Sequence, residues 1–185
     1  MRPYSRLVSL GALCAFAGAQ VVALPAASAA PRSAALPAFA SASSLRATQV
    51  LAEVNAVRLR RGIPTLASSP DLRRAAQFHS REMGRKGFFS HASADGTSFS
   101  KRVRRFYRSD GHRRWAAGEN LLWARDDIGA GSAVAMWMKS SGHRANLLSH
   151  RWIEVGIAVV RQPRARGVFR RNDVVIVTAD FGARE

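Results

Sequence analysis

Ser140-Ser141-Gly142-His143-Arg144-Ala145-Asn146-Leu147-Leu148 sets a histidine, an arginine and an asparagine within four residues, directly behind Met136-Trp137-Met138. Polar side chains this dense, between an aromatic run and a Leu-Leu pair, read as one wall of a cleft and not as a solvated linker. Upstream, Ala130, Ala133, Val134, Trp137 and Ser141 trace one helical face. The spacing predicts a helix over about 128–141, capped by Asp126 or Asp127 and closed by Gly142 at C′. His143 then lies just past a helix C-terminus, where the dipole favours a cation. Leu147 and Leu148 pin the segment to the core, and Arg144 and Asn146 brace its turn.

Two further fragments would complete such a cleft. The first, Phe88-Phe89-Ser90-His91, follows a strongly signalled helix. Ser69 suits the N-cap, Pro70 the first helical position and Asp71 the positive helix end. Leu72, Ala75, Ala76, His79 and Met83 then fall at i, i+3, i+4, i+7 and i+11. His79 on that apolar face reads as a core histidine with one ring nitrogen satisfied. The two phenylalanines anchor the following segment in the core and hold His91 in place. Beyond the turn Asp95-Gly96-Thr97, Thr97 caps a short helix with the face Phe99, Val103, Phe106 and Tyr107, and a polar loop over 108–114 leaves His112 exposed.

The second fragment, Gly118-Glu119-Asn120, lies between Trp115 and Leu121-Leu122-Trp123. A carboxylate in that setting is at least partly buried and needs a partner, because an unpaired buried charge is costly. Arginine is abundant, so a structural Arg–Glu pair stands beside a functional carboxylate as a reading of Glu119.

Outside these fragments, Val50, Leu51, Val54 and Val57 with Gly62 and Pro64 predict a helix over about 46–61. The C-terminal third reads as strands. Val155, Ile157 and Val159 alternate within 154–161, and the nearly continuous apolar run 174–179 fits a central strand. The connection 162–173 carries Pro163, Gly167 and four arginines and reads as a long exposed hairpin loop. No internal repeat or second domain is visible.

The 185 residues suffice for one ordinary domain and a tail. Arg2 and Arg6 precede an almost uncharged apolar run, Leu7 to Leu24, and Pro25-Ala26-Ala27-Ser28-Ala29 supplies a small-residue exit. Residues 1–29 therefore read as a signal peptide cleaved after Ala29, with an uncleaved membrane anchor as the alternative. Residues 30–44 form a flexible Ala/Pro/Ser lead-in, and the domain occupies 45–185. The single cysteine, Cys14, lies in the apolar run, so cleavage leaves a disulfide-free domain without a transmembrane span, held by its core alone. Net charge is +17, and removing Arg2 and Arg6 leaves +15. Lys86, Lys101 and Lys139 are the only lysines; such an arginine bias also follows from the base composition of a genome. A surface this basic attracts anionic envelope polymers or acidic lipid. No nucleic-acid motif is present, and nucleic acid is not an expected partner of an exported chain.

Five fragments in one order carry a family resemblance: Leu51-Ala52-Glu53-Val54-Asn55-Ala56-Val57-Arg58 with Gly62 and Leu66; Ala75 to Met83; Phe88-Phe89-Ser90-His91 with Asp95-Gly96; Gly118-Glu119-Asn120-Leu121; and Trp137 with Ser140 to Leu148. Val155-Gly156-Ile157-Ala158 and Phe181-Gly182 fit the closing strands. The chain resembles the CAP superfamily (SCP, or cysteine-rich secretory protein-like, domains) in its short bacterial secreted form, over about residues 46–183. The resemblance implies an α+β fold, a three-layer α-β-α sandwich with a small, mainly antiparallel central sheet. It also implies a cleft holding two histidines and, in many members, two glutamates. His91, Glu119 and His143 take three of those places. Ser140 stands where many members carry the second glutamate, which thins the acidic half of the site.

Two histidines and a glutamate from different segments are zinc-type ligands, with His91 and His143 as the metal-binding pair and Glu119 as the third donor. Asn120, Ser140, Arg144 and Asn146 would support the cleft. The family's association with lipid, sterol and envelope binding makes a secreted binding module the first reading. Trp115, Trp123 and Trp152, read as exposed, would suit a ligand part apolar and part anionic. The alternatives are a metal-assisted hydrolase acting on peptide or envelope substrates, and a structural polar cluster with function on loops 104–114 and 162–173.

Overall fold

The computed structural model describes residues 38–125 and 127–185. The expected signal peptide, most of the lead-in before Ala38 and the cap candidate Asp126 lie outside them. The described elements are α1 (Ala38–Leu59), β1 (Ala67–Ser68), α2 (Pro70–Lys86), α3 (Phe99–Arg104), β2 (Trp115–Arg125), α4 (Ala130–Lys139), α5 (Ser141–Leu148), β3 (Glu154–Ala165) and β4 (Asn172–Arg184). The sheet order is β1-β3-β4-β2. β4 runs antiparallel to both β3 and β2, and the two-residue β1 lies parallel to β3. The fold is α+β, with the mainly antiparallel sheet that the family resemblance implies.

The apolar run 174–179 is central because both faces of β4 are covered. Val175, Val177, Ala179 and Phe181 pack with Val50 and Val54 of α1, Val134 and Trp137 of α4, and Leu147 of α5. On the opposite face, Val174 and Ile176 meet Met83 of α2 and Leu121 of β2, and Leu72 of α2 packs with Val103 of α3 and Tyr107. Strand periodicity thus separates α1, α4 and α5 from α2 and α3. Gly156 of β3 lets α2 approach: a Cβ there would stand 1.9 Å from the Arg73 backbone nitrogen.

Several sequence expectations change. β2 went unread because Ala116-Ala117-Gly118 has low strand propensity. Its pairing with β4 along the whole length, from Trp115 opposite Arg184 to Arg125 opposite Val174, recruits it. α1 starts at Ala38, inside the stretch read as a flexible lead-in. The short helix is capped by Ser98, whose hydroxyl accepts the Lys101 N–H, and the Thr97 N–H goes instead to the Asp95 carboxylate. The fourth helix starts after Gly129, not after Asp127, and stops at Lys139. Ser140 is extended at φ −89 and ψ 125, and a separate helix opens at Ser141, so Gly142 is an N-terminal helical residue and not a C′ glycine. Tertiary contacts decide this: Leu147 is fully buried, and Arg58 of α1 donates to the carbonyls of Leu147 and Ser149 at 2.8 and 2.9 Å. Half of the supposed long loop 162–173 is strand. β3 continues to Ala165, a 3-10 turn spans Gly167–Phe169, and Ala165 and Phe169 are buried.

The tryptophans are not the exposed set expected. Trp152 is buried and stacks on Phe181 with centroids 6.1 Å apart. Trp115 and Trp123 are half-buried. The Trp115 indole donates to the Tyr107 carbonyl, and Trp123 meets Phe169 edge-on.

Candidate functional site: a histidine cleft at the edge of the sheet

β2 is an edge strand. Consecutive residues on a strand point to opposite faces. Glu119 therefore faces the α2/α3 layer and Asn120 the α5 layer, so one edge gathers groups from both sides of the sheet.

On the α3 side the Glu119 carboxylate is buried, with its side chain 1 % exposed. Its Oε2 accepts from the Arg102 guanidinium at 2.6 Å, and its Oε1 lies 2.8 Å from His91 Nδ1. Arg102 is itself fully buried and also donates to the His91 carbonyl at 2.7 Å. One residue back, His79 Nε2 lies 2.8 Å from the Ser90 carbonyl and donates to it. The carbonyls of Ser90 and His91 are thus held by two side chains with no exposed surface, which fixes the loop that carries His91. Phe88 packs on the core and meets His79 edge-on. Phe89 is an exposed residue, so one phenylalanine anchors the segment and not two.

The His91 side chain remains 58 % exposed. Its bond to Glu119 raises its pKa above the ordinary histidine value, against a smaller opposing effect of burial. With Nδ1–H directed at Glu119, Nε2 is the nitrogen left to a ligand. His79 is shifted the other way, chiefly by burial. It is the core histidine read from the helix pattern, with one nitrogen bonded and Nδ1 without a hydrogen-bond partner.

Asp180 stands opposite Glu119 in the β2–β4 register. It is completely buried, and neither carboxyl oxygen meets an N–H or O–H donor from another group. An anion there would be unpaired. Burial first, and the Glu119 charge second, push its pKa well above the usual carboxylate range. The raised pKa favours the neutral acid at Asp180.

The α5 side is a backbone clamp. Asn120 Nδ2 donates to the His143 carbonyl at 3.0 Å. Asn146 Nδ2 donates to the Glu119 carbonyl at 3.1 Å and to Asn120 Oδ1 at 3.0 Å. Arg144 reaches back to the Met138 carbonyl, and Ser140 links the two helices without a side-chain capping bond. His143 is half-buried in the first turn of α5, the end of a helix that opposes a cation, contrary to the C-terminal position inferred from sequence. Its pKa is lowered, by burial and then by the charge of His91. The two histidines reach the same edge from opposite layers and sense one another.

Arg102 and Asp180 were not singled out from sequence. Arg102 occupies i+3 of the Phe99, Val103, Phe106 stripe, an apolar-face position that signals a buried, paired arginine. Asp180 interrupts the apolar run Val174 to Phe181, the same kind of signal on a strand.

Both oxygens of Glu119 are engaged, so the donors left for a metal are two imidazoles. Three protein ligands hold a catalytic zinc, and this set falls short of that. Among the described residues no three His, Cys, Asp or Glu side chains group as metal ligands, and no helix is long and apolar enough to cross a membrane.

The chain is 28 % identical over 124 residues to the uncharacterised membrane protein YlbC of Bacillus subtilis, covering 66 % of this chain and 34 % of that one. It is 30 % identical over 113 residues to the uncharacterised protein YkwD of the same species, covering 60 % and 41 %. The matched region thus spans well under half the length of these relatives. Among solved structures, an extracellular protein with an SCP domain from Bacillus anthracis aligns with a TM-score of 0.58 at 27 % identity, over 75 % of this chain and 40 % of that one. An outer surface protein of Borrelia burgdorferi shares the fold at 18 % identity and a TM-score of 0.55, over 74 % and 90 %. The model of the cysteine-rich secretory protein family, CAP, matches residues 51–181, a span holding His91, Arg102, Glu119, His143 and Asp180. On that match the chain belongs to the CAP, or cysteine-rich secretory protein, family.

Proposed function

We propose that this CAP domain is a secreted or envelope-associated binding module, and that the His91–His143 edge is its ligand-reading cleft. The observation that carries the reading is the His91–Glu119–Arg102 chain. A buried ion pair fixes one imidazole nitrogen and leaves the other presented from a side chain still 58 % exposed. The raised pKa of His91 and the lowered pKa of His143 make His91 the more readily charged of the two imidazoles, which suits an anionic or hydrogen-bonding group. The extracellular and outer-surface titles of its structural relatives support the location, as does the signal-like sequence of residues 1–29.

The test is a binding panel of acidic lipids, anionic envelope polymers and peptidoglycan fragments at low salt, with the wild-type protein, His91→Ala and His143→Ala. A ligand that binds the wild type and is weakened about tenfold or more by either variant supports the reading; failure of every class to bind contradicts it.

A metal-assisted hydrolase is the second reading. The Nδ1–carboxylate bond of His91 is the arrangement that orients a histidine toward a metal. It requires about one equivalent of bound zinc, lost in both histidine variants. No zinc uptake by the wild type in a calorimetric titration rules it out.

A further inference from the structure

A second feature lies far from the cleft. Asp180 is opposite Glu119, and Val174 is opposite Gln162 at the start of the β3–β4 hairpin tip. Six residue steps along β4 separate Asp180 from Val174, about 20 Å. The tip carries Arg161, Arg164, Arg166, Arg170 and Arg171, all exposed. The nearby acid is Asp173, 3.8 Å from Arg161.

This tip is built rigidly. The Val168 N–H donates to the Gly87 carbonyl at the end of α2. The two backbones touch so closely that a Cβ on Gly167 would stand 1.9 Å from the Gly87 oxygen. Asp173 accepts the Arg164 N–H, Asn172 bonds the Phe169 carbonyl, and the Arg171 N–H bonds Ala165. The docking also brings the exposed Arg85 and Lys86 of the last turn of α2 to the same end of the molecule.

Three of the arginines occupy backbone that favours other residues. Arg164, Arg170 and Arg171 have φ of 45, 53 and 59, where glycine or asparagine is easier to accommodate. Cationic side chains therefore sit on a fixed scaffold against local backbone preference. Base composition accounts for many arginines in a chain; it does not single out left-handed backbone positions for them.

From this we infer that the hairpin tip, with the end of α2, is a docking surface for a linear phosphodiester polymer of the cell envelope. The guanidinium fork pairs with phosphate in a bidentate way, and several such forks carried on one braced backbone suit a repeating anion. A membrane fits less well, because Val168 is the one exposed large apolar side chain of the tip and interfacial binding needs an apolar face. A nucleic acid fits less well because the one aromatic of the tip, Phe169, is buried and offers no stacking platform. The inference rests on the envelope location proposed above but not on the cleft.

The experiment measures binding of the purified protein to poly(glycerol phosphate) across a salt series. Its arms are the triple variant Arg164→Asn/Arg170→Asn/Arg171→Asn, the charge-matched variant Arg60→Gln/Arg73→Gln/Arg113→Gln, and His91→Ala. The hairpin triple is expected to weaken binding about tenfold or more and to reduce the slope of log K against log salt by about two. Its melting temperature should hold or rise, since asparagine suits the left-handed backbone. The charge-matched variant and His91→Ala should lose far less. Equal loss in the charge-matched variant overturns the inference in favour of diffuse attraction. Loss confined to His91→Ala moves the polymer to the cleft and overturns this inference while leaving the proposed function intact. Binding to acidic vesicles or single-stranded DNA in preference to the polymer overturns the assigned partner.

Discussion

At the scale of single residues the site depends on one buried ion pair. Arg102 and Glu119 have side chains 0 % and 1 % exposed, and each leaves the other uncompensated if removed. Arg102→Ala and Glu119→Ala should each cost about 3–5 kcal/mol in urea denaturation. The double variant should cost clearly less than the sum, because the orphaned charge is gone. Asp180 predicts the opposite behaviour. Its raised pKa favours the neutral acid, so Asp180→Asn keeps its shape and its uncharged form. Because the folded pKa is raised, ionising Asp180 costs the native state stability as pH rises. Asp180→Asn should therefore match or exceed the wild-type melting temperature at neutral and alkaline pH, whereas Asp180→Ala should fall below it. A large loss in the asparagine variant would mean that Asp180 is needed as an anion.

At the scale of elements, the break between α4 and α5 is a tertiary effect. Ser140 makes no capping bond, so Ser140→Ala should change stability by no more than about 0.5 kcal/mol. Arg58→Ala should cost about 2 kcal/mol or more, since it strips donors from the carbonyls of Pro64, Leu147 and Ser149; thermal denaturation of the two variants separates these outcomes. The same contrast shows what the sequence made legible. α2 was readable because its caps, its proline and its apolar spacing agree locally, and β4 because its β-branched run is buried on both faces. The edge strand β2 and the helix break at Ser140 depend on long-range partners, β4 for one and Arg58 for the other. At the site, His91, Glu119 and His143 stood out as polar groups in apolar or aromatic company. Arg102 and Asp180 lay inside hydrophobic patterns and were absorbed into them. The sign of the helix field at His143 was misread because it turned on which side of Ser140 a helix begins.

At the scale of the molecule, the sheet works as a partition whose open edge is the meeting place. His91 arrives through the α2/α3 layer and His143 through α5, and β2 gives one residue to each side. Stability links the two histidines to pH in opposite senses. The raised pKa of His91 stabilises the fold fully below the unfolded histidine value of about 6.5, and that contribution is lost as pH rises through the folded value. It is small, because solvent screens the exposed His91 ring. The lowered pKa of His143 destabilises the fold as pH falls below the same unfolded value. The central claim, an exposed imidazole held by a buried carboxylate and coupled across the edge to a second, is tested most directly by NMR titration of the histidine Hε1 signals in wild-type protein, Glu119→Gln and His91→Ala. The account predicts His91 titrating above the ordinary histidine value and His143 below it, with Glu119→Gln returning His91 downward and His91→Ala raising His143. A His91 that titrates at or below the ordinary value and ignores Glu119→Gln would contradict it.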